Sequence, residues 1–296
     1  MYSVVSTSYK NNMSTLQNKI DFTLIITATN ANPNGDPLNG NRPRESFEGL
    51  GEISDVCIKR KIRNRLQDMG EKIFVQSDDR CEDSFDSLRA RAEGNAALKA
   101  ISKGKQTNRD EYAKVACSEW IDVRSFGQVF AFKDDNVSVG VRGPVSIQQA
   151  VSVSPVEIVS MQITKSVNSE GGKAGKASDT MGTKHRVAFG LYIVNGSINC
   201  QLAEKTGFSD EDAEKIKQAL CTLFENDCSS ARPEGSMEVC RLYWWKHAEK
   251  TPKVSSAKIH RSVHVEPLVE MPRKFSDYNI NVDVIDGISP EVIDMV

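Results

Sequence analysis

The chain has 296 residues, 39% hydrophobic and 26% charged, with a formal net charge of −2. That balance is ordinary for a globular protein and excludes a surface coated throughout with basic residues, while leaving room for a local basic groove. No apolar stretch reaches the ~18 residues needed to span a bilayer. Residues 1 to 20 lack the apolar core of a signal peptide, and the seven cysteines form no CxxC pair. The expected setting is therefore the reducing cytoplasm.

Taken in chain order, Met1 to Lys19 is rich in Ser and Asn and is expected to be a flexible leader, with a single domain over 21–296. From Asp21 to Asn30 the residues alternate. Phe22, Leu24, Ile26 and Ala28 take one face, and Thr23, Ile25, Thr27 and Thr29 the other, which predicts a strand with one apolar and one mixed face. Asn32 to Asn41 is dense in turn residues. Ser54 and Asp55 then open a helix whose buried stripe is Ile58, Ile62 and Leu66. Gln76 to Glu119 is charged and helix-compatible, an inserted excursion. Trp120 to Phe132 has strand character, Gly143-Pro144 breaks the chain, and Val145 to Ile163 is rich in β-branched residues. Asn168 to Thr183 has no hydrophobic period and should be mobile in isolation. Val187, Phe189, Leu191 and Ile193 alternate as another strand. Ser209 and Asp212 form a capping-box pattern for a helix burying Ala213, Ile216, Leu220 and Leu223, and Val239 to Trp245 is a further strand. Asp277 to Val296 carries acids and no bases. The order strand, helix, strand, excursion, strand, helix, strand predicts an α+β, ferredoxin-like or RRM-type fold: a four-stranded antiparallel sheet with helices on one face.

Two features point to a polyanion. Lys59, Arg60, Lys61, Arg63 and Arg65 place five cations in seven positions with no acid among them. Such a run is commonly a solvated helix face. Here Arg42 and Arg44 lie just upstream, and the helix start at Ser54 offers free N–H groups to a phosphate. The Asn32–Arg44 loop adds four asparagines, with Asn34, Gly35 and Asn41 able to meet phosphate or ribose; a plain turn would explain Pro33, Gly35 and Pro37 equally well. Gly171 to Lys176 lacks P-loop spacing. His260 and His264 have the i, i+4 spacing of a helical zinc pair but no following acid, so neither a metal nor another cofactor is expected. Asp36 is the one acid in the loop that could help hold a catalytic metal beside RNA, without a convincing second ligand.

Asn32-Pro-Asn-Gly-Asp-Pro, Gly40-Asn-Arg-Pro-Arg44 and Ile53-Ser-Asp-Val-Cys-Ile-Lys-Arg-Lys-Ile-Arg63 together resemble the opening of the Cas-seven-type backbone subunit (RAMP superfamily) of type I-C CRISPR Cascade complexes. Further matching segments are Asp122-Val-Arg-Ser-Phe-Gly127, Val141-Arg-Gly-Pro144 with Ser154-Pro-Val156, Met181-Gly-Thr-Lys-His185, Phe189-Gly-Leu-Tyr192 and Lys205-Thr-Gly-Phe-Ser209. They follow the family's order from about residue 20 to 250. Thr183 and Cys228 stand where the family often has Arg.

The resemblance implies a hand-shaped subunit: an RRM-like palm, helical fingers at 70–118 and a thumb hairpin at 150–186. It also implies RNA contacts from Lys59, Arg60, Arg63, Arg124, Arg142, Lys165, Lys184 and His185, besides Asn34, Gly35, Asn41, Arg42, Arg44 and Ser54. Its implied partners are CRISPR RNA, target DNA through guide pairing, neighbouring copies in a head-to-tail filament, and the large, small and repeat-end-capping Cascade subunits. The expected function is non-catalytic coating of the guide. The rivals are a metal-dependent RNase using Asp36 and a general single-stranded RNA-binding protein.

Overall fold

The computed structural model describes residues 14–102, 108–132, 138–164 and 181–296. Alternating apolar residues build β1 (Ile20–Ala31), which leads through a small ribbon of β2 (Gly35–Asp36) and β3 (Arg42–Pro43) to β4 (Leu50–Ile53) and α1 (Asp55–Asp68). The excursion folds as α2 (Leu88–Gly94), α3 (Ala96–Ser102) and α4 (Arg109–Glu119), followed by α5 (Ile121–Phe126) and a second ribbon, β5 (Gly127–Ala131) with β6 (Ser138–Arg142). Next come β7 (Val145–Ile147), β8 (Ala150–Pro155), β9 (Ile158–Thr164), β10 (Met181–Ile198), α6 (Cys200–Thr206), α7 (Asp210–Cys221) and β11 (Met237–Lys246). The chain ends in α8 (Ser256–Arg261), β12 (Val263–Pro267), β13 (Tyr278–Val282) and β14 (Glu291–Asp294).

The main sheet is antiparallel, in the order β14-β11-β1-β10-β8-β4, with β7 and β9 also paired to β10. One face carries Phe22, Leu24 and Ile26 against Ile58, Ile62 and Leu66 of α1 and Ala213, Ile216 and Leu220 of α7. The helix stripes expected from periodicity are thus the ones buried. Helices on one face alone would leave the other face open, and it is not. Ile25, Leu191, Cys240, Tyr243 and Trp245 are roofed by Ile259 of α8, Val263 and Tyr278. The elements that roof it are short and carry little periodicity of their own. Gly196 on β10 is dictated by the core packing, since a Cβ there would fall 2.1 Å from the Phe22 ring. Gly196→Ala is expected to cost about 1–3 kcal/mol by overpacking, read from the denaturation midpoint.

The excursion is a packed lobe with its own core. The Phe74 ring lies 4.7 Å from Trp120 and 5.0 Å from Phe130, centroid to centroid, with Tyr112 and Val139 in the same cluster. Here the strand expected over Trp120–Phe132 is corrected, because its first half is helix α5. Asp122 explains the difference. Wholly buried, it accepts hydrogen bonds from the backbone of Phe74 (2.7 Å) and Val75 (3.1 Å) and from Arg63 Nε (3.0 Å). The helical turn brings it to all three donors. Part of the segment expected to be a leader is packed onto the domain. Residues 1–13 lie outside the described residues, whereas Leu16 is buried and bonded to the Phe208 carbonyl.

At the far end of β1, Asp21 is buried and accepts from His247 Nε2 (2.7 Å), with Lys19 Nζ at 3.2 Å and also bonded to Ser256. His260 Nε2 sits 3.1 Å from the Gly196 carbonyl. The helix holding it stops at Arg261 and His264 lies in β12, so the two never share a helix face. No group of three or more His, Cys, Asp or Glu side chains among the described residues could hold a metal ion. All seven cysteines are unpaired. No helix among the described residues is long and apolar enough to cross a membrane.

Candidate nucleic-acid interface

The Asn/Gly loop is held in place because its own polar groups stitch it down. Asn32 is buried, donates its backbone N–H to the Ala231 carbonyl (2.8 Å) and its side-chain amide to the Asn41 carbonyl (2.7 Å). The Asn41 side chain folds over Gly35, where a Cβ would sit 1.9 Å from Asn41 Oδ1. Asn34 Oδ1 accepts from both the backbone N–H and the hydroxyl of Ser54, each at 2.9 Å, and Ser54 Oγ in turn caps α1 by accepting from Cys57 N–H. Asn34 and Ser54 therefore spend these hydrogen bonds fixing the loop to the helix start.

Arg42 carries the loop's charge outward. Its Nη1 donates to Ser160 Oγ on β9 (3.2 Å), which lies 2.8 Å from His185 Nδ1 on β10, and its Nη2 is 3.4 Å from Glu45. Arg44 lies 3.4 Å from Asp36, and its Nε is buried with no partner among the described residues. Asp36 also accepts from Leu38 N–H, which gives it a structural post in the turn. Loop, helix start and hairpin base thus meet in one rim, where the Arg42 and Arg44 guanidinium groups lie beside Glu45 and Asp36 and Leu38 and Phe47 stand fully exposed. Guanidinium groups placed in this way can meet phosphate oxygens.

The five-cation helix needs correcting. No acid lies within the run, but acids outside it pair with four of the five cations. Lys59 pairs with Asp55 at 2.9 Å, and this bond holds the Asp55 carboxyl below its ordinary range. Arg60 donates to the Val75 carbonyl at 2.6 Å. Lys61 is buried against Asp227, the partly exposed Arg63 meets the buried Asp122 at 3.0 Å, and Arg65 meets Glu225 at 2.6 Å. Arg124 makes a two-pronged bond to Asp212 at 2.8 and 3.0 Å. These side chains bind the fold to itself. Arg142 is exposed on the separate β5–β6 ribbon, and Lys165 lies outside the described residues, as does most of the Asn168–Thr183 stretch. Lys184 and His185 are strand neighbours and so point to opposite faces; only His185 joins Arg42. Ser160 escapes a reading of the sequence because nothing local marks it; its role depends on the β9–β10 register.

A family model described as "CRISPR-associated protein Cas7" matches residues 18–283. A protein of that description from Haloferax volcanii is 26% identical over 258 residues, covering 78% of this chain and 70% of that one. Among solved structures, a chain of a "CRISPR RNA-guided surveillance complex, pre-nicking" superposes with a TM-score of 0.49 at 17% identity, covering 82% of this chain and 81% of that chain. A chain of another "CRISPR RNA-guided surveillance complex" gives 0.46 at 15% identity, covering 82% and 74%. With the family model spanning nearly the whole described chain, the protein belongs to the CRISPR-associated protein Cas7 family.

Proposed function

We propose that the chain is a non-catalytic subunit that coats CRISPR RNA and holds it for pairing with target DNA in a type I-C Cascade complex. The observation that carries this reading is the Arg42–Ser160–His185 junction, which joins a donor-rich loop to the root of a long hairpin in a Cas7-family chain. A subunit that must accept any guide needs backbone and shape contacts, and this rim offers them. The order β11-β1-β10-β7/β8 agrees with an RRM-type palm, in which case α2–α4 serve as fingers and β9–β10 as the root of the thumb. Neighbouring copies and the large, small and repeat-end-capping subunits are its protein partners.

Removing Arg42 and Arg44 together to Ala is expected to weaken guide retention alike for unrelated spacers. The logarithmic salt slope should flatten by ~0.7 for each phosphate that is no longer neutralised. Filter binding over a salt series measures both, and weakening confined to one spacer would overturn the backbone-binding reading. Asp36 is engaged by Arg44 and the Leu38 N–H, and among the described residues it belongs to no group of three or more His, Cys, Asp or Glu that could hold a metal ion. Complementary RNA with Mg²⁺ should accordingly survive incubation, with no cleavage that Asp36→Ala abolishes.

A further inference from the structure

Of the eleven phenylalanines, only Phe47 is exposed; every other phenylalanine, and every described tyrosine and tryptophan, is buried or half-buried. A single exposed apolar side chain is ordinary on a protein surface. This one, however, stands on a braced turn. Gly49 N–H donates to the Ser46 carbonyl (3.0 Å) and Ser46 N–H to the Leu50 carbonyl (2.7 Å). Ser46 Oγ accepts from the N–H groups of Glu48 and Leu50, each at 3.2 Å. Gly49 closes the turn at φ +78°, a conformation that suits glycine. From outside the turn, Val156 N–H donates to the Gly49 carbonyl (2.9 Å), which anchors it to the bend between β8 and β9. The backbone thus holds the Phe47 ring out in solvent at a fixed place beside the root of the hairpin.

Its neighbours decide what the ring can meet. Two residues before it, Glu45 lies 3.4 Å from Arg42, whose other terminal nitrogen reaches Ser160 on β9. The Arg44 carbonyl accepts from Glu52 N–H (2.9 Å), so the chain enters and leaves the turn as a paired ribbon that begins at the two arginines. Glu48, next to the ring, is exposed and forms no ion pair among the described residues. An unpaired carboxylate repels phosphate, which directs the backbone of a bound strand toward the arginines and leaves an uncharged base for the tip. Every base has a π-face, so an aromatic ring can stack on any of them. We infer that Phe47 is a stacking platform for one nucleobase of a single strand whose phosphates lie at Arg42 and Arg44. This inference rests on the proposed guide-coating role and adds to it a base contact that carries no sequence preference.

The test uses the full chain with a short oligoadenylate and with a ribose–phosphate strand of the same length that lacks bases. All three native tryptophans are buried, so the indole of a Phe47→Trp variant reports on the turn against a quiet background. Position 47 is exposed, and its substitution should leave folding intact. Oligoadenylate is expected to quench the added indole, and the baseless strand to leave its emission unchanged. In filter binding, Phe47→Ala and Phe47→Leu should each weaken retention of oligoadenylate by about tenfold, while Phe47→Trp binds at least as tightly as the parent chain. Retention without quenching, equal quenching by the baseless strand, or full affinity in Phe47→Leu overturns the stacking assignment and leaves the coating role standing. A parent chain that retains no oligoadenylate at low salt overturns the coating role and this inference together.

Discussion

Asp122→Ala is expected to unfold the molecule at a temperature roughly 10 °C below the parent chain. The carboxylate is wholly buried and holds Arg63 together with two backbone N–H groups of the Phe74–Val75 segment. Breaking a buried ion pair from one side typically costs about 3–5 kcal/mol, and a domain of this size loses ~2–4 °C for each kcal/mol. Arg63→Ala should cost a similar amount, because it leaves Asp122 charged and buried. Lys59→Ala severs only a partly exposed i, i+4 pair worth about 0.3–0.5 kcal/mol. Calorimetry on the three variants separates them, and equal stability of all three would refute this reading of α1. The contrast bears on function: guide release in Arg63→Ala would report unfolding, whereas release in Lys59→Ala would report a direct role at the RNA.

The second large effect lies at Asp21 and is read through pH. Burial raises the carboxyl's proton affinity, but bonds from His247, Ser256 and Lys19 outweigh it and leave Asp21 below the ordinary carboxylate range. A depressed carboxylate contributes stability that is present above its unfolded value of ~3.9 and is lost as pH falls through the folded one. His260 shifts downward as well, chiefly through burial. Its folded form takes up a proton less readily than the unfolded chain, so its contribution is full above ~6.5 and declines on acidification below that. Melting temperature should therefore sag first below pH ~6.5 and again below ~4. His260→Gln should remove the first step alone. Asp21→Ala should shrink the second, to which Asp55 and Asp83 also contribute, and cost about 3–5 kcal/mol at neutral pH, since Lys19 and His247 lose their shared acceptor. A melting temperature flat from pH 7 to 5 in the parent chain would contradict the assignment of His260.

What is legible in the sequence is what depends on neighbours along it. The Ile58–Ile62–Leu66 stripe, the Ser54 cap and the Ser209–Asp212 capping box all appear where periodicity and capping chemistry put them. What escapes is decided at a distance. The acids that quench the basic helix lie 59 residues away for Arg63 and 166 for Lys61. Helix α5 reads as strand because Ile121, Val123 and Ser125 alternate, and the backbone donors that favour a turn around Asp122 sit some 48 residues upstream. At the interface, the Asn/Gly loop is legible as a dense set of donors, but its coupling to Ser160 depends on strand register, which no short motif encodes.

One strand, β10, runs 18 residues from the heart of the sheet to the tip of the described hairpin without a break. The residues that pair with β9 continue directly into the pairing with β1, so a load taken by the hairpin would be passed along one backbone into the centre of the sheet.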